Sequence, residues 1–255
     1  MEKVLFEKSE GTLKVSLNRT SVLNAINSDV LKELESGIKA HMGDGTIKAL
    51  MLYGQGGCFA AGADIKELAS LDEGGIRKFH DLRERTFFLL EEFPSPTFAV
   101  IEKFALVTGL ELALCCDFRI AAEGAQLGVP SSRLGLVESY EYIARLVRSV
   151  GPAQAKKLIL TGERIDAGTA FTIGLIEEIT SPQKLFDRAD ALLSSILNNS
   201  NYALRQSKKA VDACTRDPNL SHVHDTALPL VESLKSPDFK EGTTAFLEKR
   251  KAKFK

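Results

Sequence analysis

This 255-residue chain has no tryptophan, only four cysteines and four histidines, and no long apolar run. A bilayer span takes roughly 20 apolar residues. Met1–Leu13 alternates charged and apolar side chains rather than forming a signal sequence. A reducing, cytoplasmic setting without membrane contact is expected. Cys58, Cys115, Cys116 and Cys214 have neither disulfide-framework density nor metal-ligand spacing. Cys115-Cys116 closes an apolar run and reads as two small hydrophobes. His222-x-His224 misses the i, i+4 spacing of a helical metal pair, so no metal is expected. The net charge of −1 argues against a general polyanion binder. Between Arg77 and Arg85 the basic residues are interleaved with Asp81 and Glu84, so nucleic acid is not an expected partner. No Gly-x-Gly-x-x-Gly follows a strand and no Gly-Lys-Ser/Thr occurs, which removes dinucleotide and phosphate-loop chemistry.

What is present is a chain with 44% hydrophobic residues, long enough for one large core and an appended subdomain. Strand and helix signals alternate. A hairpin turning at Glu10-Gly11 joins strands at Val4–Glu7 and Leu13–Asn18. Asn27 or Ser28 caps a helix with Val30, Leu31, Leu34, Ile38 and Met42 on one face. Strands follow at Ile47–Tyr53, Thr97–Glu102, Phe118–Ala122 and Gln126–Pro130, with a helix at Ile76–Phe93. After Gly151-Pro152 the pattern is mostly helical: Pro152–Thr161, Ala167–Ile173, Gln183–Asn198, Tyr202–Ala213, His222–Leu234 and Lys240–Lys253. A soft boundary near residue 195 separates an α/β core, 1–195, from a helical region, 196–255. The basic run Glu248–Lys255 ends it.

Two stretches carry the chemistry: Cys58-Phe-Ala-Ala-Gly-Ala-Asp-Ile-Lys-Glu-Leu68 and Ala105-Leu-Val-Thr-Gly-Leu-Glu-Leu-Ala-Leu-Cys-Cys-Asp117. Each runs from an apolar strand through small residues into a helix. The first N–H groups of a helix lack backbone acceptors and can point at a negative oxygen. Two such junctions facing one point would form an oxyanion hole, which stabilises the enolate of a thioester. Glu111 lies in the first turn of the second helix, on an otherwise apolar run. A carboxylate there either answers the helix dipole or does proton chemistry.

The landmarks Asn18-Arg19, Leu23-Asn-Ala25, Phe59-Ala-Ala-Gly-Ala-Asp-Ile-Lys66, Glu111-Leu-Ala113, Cys116-Asp117, Leu134-Gly135, Arg145-Leu146, Gly151-Pro-Ala153, Leu160-Thr-Gly162, Gly174-Leu-Ile176 and Phe246-Leu-Glu-Lys-Arg-Lys251 occur in this order. Together they resemble the crotonase group, the enoyl-CoA hydratase/isomerase family, over nearly the whole chain. The resemblance implies an α/β spiral of repeated ββα units with a C-terminal helical trimerisation region, assembled as trimers or as hexamers built from two trimers. It implies an acyl-CoA thioester as substrate, with coenzyme A part of that substrate and no separate cofactor. By position, the oxyanion N–H groups fall on Ala63 and Thr108. Asn24, Ala25, Ala61, Ala63, Asp64, Ile65 and Lys66 would line coenzyme A. Phe246 and Lys249 match tail positions that reach a neighbouring subunit's coenzyme A.

Several positions depart from the pattern. Val107-Thr108-Gly109 stands where most relatives have three glycines, and Lys103 replaces a small residue upstream. A β-branched residue tolerates no positive φ, so the second loop is expected to be built differently or the site to be narrowed. Glu111 matches the first of the family's two glutamates, but Ser131 holds the place of the second. Hydration through two glutamates in the usual positions is therefore not expected. Glu138 and Glu141, in a neighbouring segment, are the candidate substitutes; Tyr140 and Tyr142 beside them could supply phenolic donors but read first as surface or packing residues. The expected activity is double-bond isomerisation or hydration of an enoyl-CoA with Glu111 as acid and base. Decarboxylation of an acyl thioester, or a catalytically inactive CoA-binding scaffold, remain the alternatives.

Overall fold

A computed structural model describes residues 2–254 except Pro218 and His222. The chain opens with β1 (Val4–Ser9) and β2 (Thr12–Leu17), an antiparallel hairpin. Its turn uses positive φ at both Glu10 (47°) and Gly11 (81°), which suits the twist of the flanking strands. Next comes α1 (Ser28–His41), whose N-cap Asn27 accepts from the Val30 N–H and which buries Val30, Leu31, Leu34 and Ile38. The run continues through β3 (Ala49–Gly54), α2 (Ile65–Leu68) and α3 (Glu73–Glu91). Then follow β4 (Thr97–Ile101), β5 (Phe104–Leu106), α4 (Thr108–Leu114), β6 (Phe118–Ala122) and β7 (Gln126–Gly128). The remainder is α5 (Tyr140–Thr161), β8 (Arg164–Asp166), α6 (Ala167–Thr172), β9 (Glu178–Thr180), α7 (Leu185–Leu197), α8 (Asn201–Arg216), α9 (Leu228–Lys235) and α10 (Pro237–Leu247).

The strands form two sheets, one ordered β1-β2-β3-β4-β6-β9 and parallel after the hairpin, the other β5-β7-β8. Successive units place one strand in each sheet and then a helix: β4, β5, α4, then β6, β7, α5. The second sheet is extended by a bridge from Ala60 to Ala105. That spiral winds the strand-to-helix junctions around one interior. β3 and β4 are apolar on both faces because both are covered. On one side lies the main core; on the other, Met51, Phe98, Val100 and Ile120 meet Leu185, Ala189, Leu193 and Ile196 of α7.

Helix limits differ from the pattern-based ones in informative places. Gly151-Pro152 divides α5 into two helical segments: Gly151 is non-helical at φ 73° and ψ 165°, and the second segment starts at Pro152 as expected. The helix expected from His222 begins at Leu228, with Pro229 in its first turn; His222 itself lies outside the described residues. The last helix starts earlier, capped by Ser236 before Pro237, and ends at Leu247 rather than Lys253. None of the α8 side chains is fully buried; polar contacts hold it instead. Arg205 donates to Ile47 O (3.0 Å) and Ser95 Oγ (3.2 Å), and Lys208 to Asp117 Oδ2 (2.8 Å). Among the described residues no helix is long and apolar enough to cross a membrane.

Candidate active site

Ile26 positions the first junction. Its N–H donates to Gly62 O (2.8 Å) and its carbonyl accepts from Asp64 N–H (2.8 Å). In a parallel bridge of this kind the middle residue, Ala63, turns its own N–H to the opposite side. The second junction hangs from β7, with Val107 N–H donating to Gly128 O (2.9 Å). Thr108 then opens α4, so its N–H has no intrahelical acceptor. Among the described residues neither the Ala63 nor the Thr108 N–H has a backbone acceptor.

The junctions lie against each other. Ala60 N–H donates to Phe104 O (2.9 Å), and Leu106 N–H returns to Ala60 O (3.1 Å). A Cβ on Gly109 would stand 2.4 Å from Ala60 O, and one on Gly62 would stand 3.3 Å from Leu106 O. Gly109 is therefore required for the close approach, and Gly62 for its φ of 123°. The departure from three glycines is absorbed at Val107, which takes φ 50° and ψ −119°. Thr108 is spared, because it is already helical. Such a conformation costs a β-branched residue on the order of 1–3 kcal/mol. Lys103 likewise sits at φ 54° where a glycine would be relaxed.

Glu111 is fully buried one turn into α4. Its Oε1 accepts from Arg145 Nη1 (2.9 Å), Arg83 Nε lies 3.5 Å from Oε2, and Oε2 has no hydrogen-bond partner. Arg145 also holds Glu84 (2.8 Å) and Glu91 (3.1 Å), and Arg83 also holds Glu84 (3.0 Å). Glu138 acts on Arg83 as well. Four carboxyls thus gather around two buried guanidiniums. Burial pushes the Glu111 carboxyl up to about 8 in spite of Arg83 and Arg145.

Glu138 is also buried, and the Ser131 hydroxyl donates to its Oε1. Burial raises its pKa, opposed by Ser131 and Arg83. A carboxyl thus reaches the place of the missing second glutamate from seven residues along the chain. Ser139, not Glu138, caps α5 by accepting from Tyr142 N–H (3.2 Å). Glu141 stands apart: it faces solvent, 3.6 Å from His80 Nε2, because it points outward from the first turn of α5. His80, Glu84 and Glu141 bring ligand-type atoms within 4.8 Å of one another. Both Glu84 oxygens, however, already accept from Arg83 and Arg145. Tyr140 is 89% exposed, whereas Tyr142 is buried with its hydroxyl unpartnered.

The positions assigned to coenzyme A divide. Asn24 is buried and committed to the fold: Oδ1 accepts from Arg19 N–H (2.8 Å) and Nδ2 donates to Gln55 O (3.0 Å) and Cys58 O (2.6 Å). Arg19 donates to Ala25 O (2.5 Å) and pairs with Asp64 (3.0 Å). Asp64 caps α2; burial favours its neutral form, but Arg19 and the α2 amides hold its pKa below the ordinary value. Ala61 is fixed by its N–H to Leu23 O (3.0 Å). Ile65 and Lys66 are exposed, and Lys66 has no ion pair among the described residues. Phe246 is 81% exposed near the end of α10, and Lys249 follows in the next turn at φ 53°. Within one chain both side chains face solvent. A cleft of about 540 Å³ opens between α8 and the ends of α4 and α5, with Arg145 and Glu91 in its wall; neither junction lines it.

Sequence reasoning did not single out Arg83, Glu84 or Tyr142 as site residues, and Arg145 entered only as a landmark. Their signal was faint. Charged residues on the buried face of α3, at Arg83 and Glu84, require partners that only the fold supplies.

Comparisons with known proteins agree with this architecture. The Enoyl-CoA hydratase/isomerase family profile matches residues 7–255. A crotonyl-CoA hydratase of Syntrophomonas wolfei is 37% identical over 254 residues, covering 99% of this chain and 98% of its own length. A short-chain-enoyl-CoA hydratase of Clostridium acetobutylicum is 36% identical, covering 98% and 97%. The crystal structure of an enoyl-CoA hydratase from Bacillus anthracis superposes with a TM-score of 0.95 at 31% identity, covering 100% and 99%. The chain belongs to the enoyl-CoA hydratase/isomerase family and has its α/β crotonase fold.

Proposed function

We propose that this protein hydrates a short 2-enoyl-CoA, using Glu111 and Glu138 as its acid–base pair. The observation that carries this reading is the Glu138 carboxyl seated on Ser131, where the family's second glutamate would be. The thioester carbonyl accepts from the Ala63 and Thr108 N–H groups. Ionised Glu138 takes a proton from water as the water oxygen bonds to Cβ. The Cα–Cβ π electrons move toward the carbonyl, giving an enolate held by the two N–H groups. Protonated Glu111 delivers its proton to Cα as the carbonyl re-forms. Burial holds the Glu111 carboxyl protonated up to about 8, so it keeps the proton this step needs.

Coenzyme A lies along Ala61–Lys66 and Ala25, with Lys66 free to meet a phosphate. Phe246 and Lys249 reach the same ligand on a neighbouring copy in a trimer or hexamer.

Glu111→Gln should lower kcat/KM for crotonyl-CoA by about 10²–10⁴-fold, and Glu138→Gln by a comparable factor. Unchanged turnover in Glu111→Gln would refute the assignment. Loss in Glu111→Gln alone, with 3-enoyl-CoA as the better substrate, would mark a single-base isomerase. Stability offers an independent check. Folded Glu111 keeps its proton to about 8, against 4.5 for the ordinary group. Between these values the unfolded chain has lost the proton and the folded chain has not. This contribution is full below 4.5 and is lost as pH rises through about 8. Melting curves between about pH 5 and 9 should slope downward for the wild type and flatten in Glu111→Gln.

A further inference from the structure

Tyr142 and Arg145, three residues apart, share one face at the start of α5, and Glu138 lies just before the N-cap Ser139. Glu138 and Arg145 each have partners, although Arg145 Nε has none. Glu138 is bound to Ser131, and Arg145 to Glu111. Tyr142 lies between them, 1% exposed, and its hydroxyl has no partner among the described protein atoms. Glu111 Oε2 is the other unpartnered acceptor of this group. An unmet buried hydroxyl costs on the order of 1–3 kcal/mol. Phenylalanine would fill the same space without that cost, so the oxygen is best explained by a ligand.

We propose that the Tyr142 hydroxyl is a catalytic residue that donates a hydrogen bond to the oxygen on the substrate's β carbon: the attacking water, and then the 3-hydroxyl of the product. This rests on the hydration reading above. The carbonyl end of the thioester is served by Ala63 and Thr108 at the start of α4. Tyr142 comes instead from α5, alongside the two carboxyls that act at Cα and Cβ. Its role is to donate only. Burial, with Glu138 and Glu111 nearby, raises the phenol's pKa well above the ordinary value, so it remains protonated during turnover. The site therefore favours acyl groups with oxygen at C3 over saturated ones.

The test is Tyr142→Phe, assayed by calorimetry with 3-hydroxybutyryl-CoA and butyryl-CoA and by turnover of crotonyl-CoA. The wild type should prefer the hydroxylated thioester by about tenfold, the worth of one buried hydrogen bond, and the variant should lose that preference. Its kcat should fall by about 10–100-fold with KM nearly unchanged, and its Tm should be equal or higher. Equal preference in the two proteins overturns the proposal. A wild type that binds both thioesters equally overturns it without any variant. A lowered Tm with preference retained assigns the hydroxyl to the fold. A wild type that binds with the stated preference but hydrates nothing defeats the hydration reading and leaves the hydroxyl contact standing. One that binds neither thioester defeats both.

Discussion

The two strand-to-helix junctions present the same kind of backbone with different residues. At the first, the unusual dihedral falls on Gly62, φ 123°, beside the N–H of Ala63. At the second, it falls on Val107, φ 50°, beside the N–H of Thr108. Neither residue selects its conformation. Gly62 is held through Ile26, and Val107 through Gly128 and the first turn of α4. The difference teaches that a hydrogen-bond frame can force a β-branched residue into glycine's territory. What it cannot do is make room where two backbones touch. Glycine therefore survives at Gly109, against Ala60, and is lost at Val107.

Substitutions at the three positions sharpen this contrast. Gly109→Ala should have the largest effect, because the new methyl group meets backbone at 2.4 Å and the junctions must separate. We expect roughly 100-fold lower turnover and a loss of about 2–3 kcal/mol in denaturant unfolding. Gly62→Ala meets only a 3.3 Å neighbour but inherits the φ of 123°. It should cost about 1–3 kcal/mol and affect stability more than kcat. Val107→Gly should have the smallest effect, within about 1 kcal/mol, since relief of strain offsets the added freedom of the unfolded chain. A Val107→Gly enzyme hundreds of times faster than wild type would show that the valine obstructs catalysis rather than merely bearing strain.

Local chemistry was legible in the sequence. Glu10-Gly11, the Asn27 cap and the buried β3 run were each read from a few neighbouring residues, because turn, cap and strand preferences act over that range. Family landmarks supplied the order of the units. What escaped was the polar centre. Arg83 on α3, Glu111 on α4 and Arg145 on α5 are far apart in the chain, and only the spiral brings them within reach. Glu138 was a candidate with a rival, Glu141, three residues away. Which of the two turns inward depends on where α5 begins, and Ser139 sets that start. Tyr142 was a possible phenolic donor that read first as packing, because its place in the sequence says nothing about where its oxygen ends.

Lys208 of α8 closes on Asp117, which also accepts from the Thr97 N–H (2.8 Å) at the head of β4. Asp117 lies just past α4, so this one carboxylate buckles the helix bearing Glu111 to the late helical region. Losing the α8 lysine would slacken the far end of the helix that bears Glu111. On the proposed mechanism, the placement of Glu111 therefore depends in part on a fastening at the other end of a seven-residue helix.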